Sequence, residues 1–96
     1  MLEEVKLALR ITIDDFDTEL YDLIDAAMMD LKIAGVKSES NKMDPLVKRA
    51  VITYCKVHWG DIAGKDYDRL KKAYDEQKAQ LMMATGYTNW GGEQND

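Results

Sequence analysis

The chain has 96 residues, 46% of them hydrophobic, with a single cysteine and a formal net charge of −5. That is enough for one domain with a thin core. Its acidic balance argues against a duplex-binding protein, whose affinity comes largely from neutralising phosphates and releasing counterions.

No stretch approaches the roughly 18 consecutive apolar residues of a membrane span. The acidic opening Met1-Leu2-Glu3-Glu4 lacks the basic region of a signal peptide, so the chain is expected to be cytosolic when made, with no membrane partner. Charge is segregated along the sequence. Residues 1–30 carry nine acids and two bases, residues 31–60 carry six bases and two acids, and the remainder is net −2. Two readings fit: ordinary solvated helix faces, or an acidic flank on one subunit that meets a basic flank on the next.

In chain order, Leu2, Val5 and Leu9 recur at helical spacing and predict a first helix over residues 2–9. The β-branched run Ile11, Thr12, Ile13 breaks it. Asp14, Asp15 and Asp17 cluster where a second helix, residues 15–34, should begin, and are expected to cap its free amides and meet the positive end of its dipole. As a calcium loop counted from Asp14, the run has Glu19 where a glycine is needed and Asp25 where a glutamate is needed, so capping is the better account.

The second helix has an apolar stripe of Phe16, Leu20, Leu23, Ile24, Ala27, Met28 and Leu31, expected to be core. A narrower strip of Ala26, Met29 and Ile33, flanked by Asp22 and Asp25, falls on the far side. It faces either another helix of the bundle or another subunit.

Gly35 should close this helix, followed by the polar loop Lys37 to Lys42. Asp44-Pro45 pairs an N-cap residue with a proline at the first helical position and starts a third helix that ends near Trp59, before Gly60. Its inner face reads Leu46, Val47, Ala50, Val51, Tyr54, Cys55, Val57 and His58. The opposite face carries Lys48, Arg49 and Lys56 around Ile52 and Trp59. With both strips exposed, Asp22, Asp25, Met29 and Ile33 would complement Lys48, Arg49, Ile52, Lys56 and Trp59 head to tail, a contact that builds rings or filaments instead of closed dimers.

Residues 61–66 read as a turn and 66–84 as a fourth helix, with Tyr67, Leu70, Tyr74, Gln77 and Leu81 spaced as a narrow seam. Gln77 is the odd member: it fixes register or marks the seam's exposed edge. The tail from Gly86 has too few apolar residues to fold alone. Its Tyr87 and Trp90 either fold back on the core or anchor a partner.

The residues suggest no catalytic, cofactor-binding or metal-binding constellation. His58 is a core or boundary histidine with no nucleophile or orienting acid beside it, and one histidine with one cysteine makes no metal site. Cys55, within an apolar helical pattern, behaves as a small hydrophobe. There is no phosphate-binding glycine loop, and Ser38 and Ser40 lack the Asp-Ser-Leu setting of an acyl carrier. No acid–base pair is positioned by spacing, so no enzyme is expected.

Val5-Lys6-Leu7 with Leu9-Arg10-Ile11, the acids Asp14 and Asp15, then Leu20, Leu23-Ile24 and Ala26-Ala27, resembles the head-tail connector (adaptor) family of tailed bacteriophages. Pro45-Leu46 followed by Ala50-Val51 and the aromatic close Trp59-Gly60 is similar to that family's second block. The likeness covers about residues 1–85 and consists of patterns of hydrophobics and acids; Thr12-Ile13 departs from it, since the family usually runs directly into acids there.

The resemblance agrees with the all-α bundle of about four helices read over residues 1–85; the tail over 86–96 lies outside the likeness and is expected to be flexible from its composition. It implies a structural protein of a phage or prophage, made in the bacterial cytoplasm and placed in the virion neck. There it would form a homo-oligomeric ring, usually twelvefold, beneath the portal protein and above downstream head-closure or tail proteins. Genomic DNA would pass through the channel without sequence-specific binding, which an acidic lining favours. Tyr87 and Trp90 would dock on the portal or another neck protein. The competing reading is a small phage or bacterial regulatory or adaptor module, whose basic third helix would contact nucleic acid or an acidic partner.

Overall fold

The computed structural model describes residues 1–36, 44–59 and 66–83. These form four α-helices, α1 (Leu2–Leu9), α2 (Asp17–Ile33), α3 (Pro45–His58) and α4 (Tyr67–Met83), with no strand among the described residues. The fold is all-α, as expected, and the helix limits lie within two residues of those read from periodicity.

The first helix is short because its end is built in. Arg10 takes the left-handed conformation at φ 60°, and the Ile11 amide reaches back to the Lys6 carbonyl at 2.9 Å while the Arg10 amide reaches Leu7. That pair of reverse bonds satisfies carbonyls the helix would otherwise leave open. The same motif ends α2. Gly35 lies at φ 93°, with the Val36 amide bonded to the Leu31 carbonyl and the Gly35 amide to that of Lys32.

α3 begins as the Asp44-Pro45 pair predicts, with Asp44 Oδ1 accepting from the Leu46 amide at 2.9 Å. α3 packs against each of the other three helices and so forms the centre of the bundle. Val47, Ala50, Val51 and Cys55 from α3 meet Leu20, Ile24, Ala27 and Leu31 of α2, Val5 and Leu9 of α1, and Tyr74 and Leu81 of α4 in one continuous core. Helix α1 therefore belongs to its own subunit's bundle.

Four local expectations are corrected. The aspartates before α2 do not cap it, since Phe16 holds the N-cap position without a side-chain bond. Asp14 and Asp17 instead grip the buried ammonium of Lys6, at 2.7 and 3.0 Å. A charge bonded at both sides of a short turn outcompetes amides that water can satisfy.

Ile52 and Trp59, expected on the outer basic face of α3, pack against the core. Trp59 also meets Phe16 edge to face at a centroid distance of 5.4 Å. His58, expected inside, is exposed and lies beside the Tyr54 ring at 4.2 Å. Leu46, also expected inside, is exposed, while Thr53 is buried with its hydroxyl donating to the Arg49 carbonyl. A helix touched from three sides has no single inner face, so a half-and-half division of its wheel misplaces the residues at the seams.

Candidate subunit interface

The strip read on the far side of α2 faces solvent along its length. Asp22, Asp25, Ala26, Met29 and Ile33 are all exposed, Met29 at 53% and Ile33 at 77%. Neither aspartate has an ion-pair partner among the described residues. Two large apolar side chains between unpaired carboxylates form a patch of the kind that marks a contact surface.

The basic surface is smaller than its sequence suggests. Lys48 is held by Glu4 of α1 at 3.4 Å. A hydrogen bond from its own backbone amide, then the N-terminal ammonium and Lys48, bring Glu4 down to about 2. With Ile52 and Trp59 packed inward, the cations of this face that have no ion pair among the described residues are Arg49, which is exposed, and Lys56, which is half-buried.

Beside Arg49 the surface is concave. A cleft of about 310 Å³ runs between α3 and α4, its lining including Leu46, Arg49, Ala73, Glu76, Gln77 and Leu81. The Gln77 side-chain oxygen is buried and has no hydrogen-bond donor among the described residues. Gln77 was already conspicuous as the polar member of the α4 seam, but its place opposite Leu46 and Arg49 follows only from the packing of two helices.

A second cleft, of about 260 Å³, is polar and internally satisfied. There Asp30 of α2 accepts from the Tyr74 hydroxyl and from Lys78 at 3.1 Å, joining α2 to α4. Burial alone would raise Asp30, but the Tyr74 hydroxyl and the Lys78 ammonium outweigh it and lower its pKa. Burial, and then the bond to Asp30, push the Tyr74 phenol upward. Tyr54, edge-on to Tyr74 at 5.3 Å, is raised by burial and by the Asp30 charge. The lysines and aspartates of this cleft are paired within the chain, through Lys71–Asp75 and Lys78–Asp30.

Cys55 is fully buried, and burial pushes its thiol up to about 11, away from thiolate chemistry. Among the described residues no group of three or more His, Cys, Asp or Glu side chains could hold a metal ion. Among them, too, no helix is long and apolar enough to cross a membrane. Tyr87 and Trp90 lie outside the described residues.

Comparison with known proteins bears on the chain as a whole. No curated protein and no solved structure matches the chain. The family model described as "Phage connector protein" matches residues 1–88, through all four helices, and the chain belongs to that family of phage connectors.

Proposed function

We propose that this protein is a head-tail connector subunit that assembles head to tail into a ring beneath the portal, extends the DNA channel and joins head to tail. The observation that carries the reading is the family match over residues 1–88. The unpaired carboxylates and exposed apolar pair on α2, set apart from the unpaired Arg49 on α3, support a heterologous contact between copies. In this role the ring is twelvefold, as is usual for such connectors, and sits in the virion neck. Its contacts are the portal protein on one side and head-closure or tail proteins on the other. The net charge of −5 lets DNA pass without adhering.

Native mass measured over a concentration and salt series, with and without portal protein, tests the ring. The expected result is a closed oligomer that loosens as salt screens its charge pairs. A strict monomer under all conditions, portal included, would reject the reading. The tail enters through Tyr87 and Trp90 as a portal-docking segment. Deleting residues 86–96 should then abolish portal binding, and undiminished binding would remove the tail from the proposal.

A further inference from the structure

We infer that the cleft between α3 and α4 is the receptor for the α2 strip of a neighbouring copy of this chain. The inference rests on the ring reading and specifies its contact. Asp25, Met29, Lys32 and Ile33 occupy positions i, i+4, i+7 and i+8 of α2, within an arc of about 100° on its exposed side. They present an anion, two apolar side chains and a cation, the charges about 10 Å apart along the axis.

The cleft offers the complement: the Arg49 cation, the exposed Leu46 side chain beside Leu81, and the Glu76 anion. Asp25, Lys32, Arg49 and Glu76 all lack ion-pair partners among the described residues. In the docked pair Asp25 meets Arg49, Met29 and Ile33 cover Leu46, and the Lys32 ammonium lies at Glu76.

The contact replaces the broader basic surface expected from sequence, since Lys48 is already bound to Glu4, and Ile52 and Trp59 serve their own core.

Two experiments on the full-length chain test this. Arg49→Asp and Asp25→Arg should each raise the concentration for half-assembly by about tenfold or more, because each sets like charges face to face. The double variant should restore assembly, and all three should keep the helicity of the unaltered chain. For proximity, chains carrying Ile33→Cys and Leu46→Cys should form a disulfide-linked dimer under mild oxidation when mixed; buried Cys55 does not compete.

Absence of the mixed dimer, with charge variants that assemble like the unaltered chain, would overturn the cleft and leave the ring standing. A Leu46→Cys cross-link to portal protein instead of to a second copy would overturn it as well, by assigning the cleft to a different partner. An unaltered chain that stays monomeric even with portal present would remove the ring reading and this contact together.

Discussion

Lys6 and Asp14 form a 2.7 Å ion pair of unequal burial: the lysine side chain is almost wholly enclosed and the aspartate almost wholly exposed. Asp17 completes the grip at 3.0 Å, so one ammonium fixes α1 to the turn and to the first residue of α2. The hydrogen bond from Lys6, and then its charge, lower Asp14 below its ordinary 3.8, while the bonds to Asp14 and Asp17 raise Lys6 above its ordinary 10.5.

A lowered carboxylate adds stability above its unfolded-state value and loses it as pH falls through the folded one. A raised ammonium adds stability below its unfolded-state value and loses it as pH rises through the folded one. The pair therefore contributes fully between about pH 4 and about pH 10. Asp14→Asn should melt at a lower temperature than the unaltered chain at neutral pH, and the two melting curves should converge as the solution is acidified through the lowered pKa of Asp14. A gap that persists in acid would show that the charge of Asp14 is not what the turn uses.

Arg10 adopts φ 60° without being a glycine. The left-handed conformation costs a residue with a side chain about 1–2 kcal/mol, partly offset in a glycine variant by greater freedom of the unfolded chain. Because Arg10 is exposed and its backbone bonds would remain, Arg10→Gly should stabilise the protein by about 0.5–1 kcal/mol in denaturant titration.

Tyr74 is a core residue whose hydroxyl reaches Asp30 on another helix. Tyr74→Phe keeps the ring and removes the bond, leaving Asp30 to Lys78 alone. Asp30 is part-exposed, so the loss should be about 1 kcal/mol rather than the larger value of an enclosed charged bond. In a double-mutant cycle with Asp30→Asn, a coupling near zero would indicate that α2 and α4 are joined by apolar packing only.

Cys55 is enclosed by the core, with its thiol pushed up to about 11. A thiol reagent should leave the folded protein unmodified at neutral pH and label it fully in denaturant. Native labelling as fast as that of an unfolded peptide would mean that α3 opens readily against its neighbours.

Helix existence and punctuation were legible from the chain alone, because caps and periodicity act within a few residues of backbone. Asp44-Pro45, Gly35 and the 2–9 pattern lie where local rules put them. The α2 strip was legible too, in that Met29 and Ile33 were separated from the core stripe by angle alone. The Lys6 clamp left little trace: a lysine between Val5 and Leu7 reads as an exposed position until the following turn folds back and brings Asp14 and Asp17 to it.

Amino-acid order by itself determined four helices, their ends and a segregated charge pattern, since each depends on spacing and on groups a turn or two apart. Tertiary structure alone decided which charges and apolar side chains remain available to a partner. Lys48 was withdrawn by Glu4, and Ile52 and Trp59 were taken into the core. Gln77 was set without a donor among the described residues in a cleft between α3 and α4. The physical reason is that burial and pairing depend on the directions from which other helices approach, and α3, contacted by all three others, has neighbours that no single helical wheel contains.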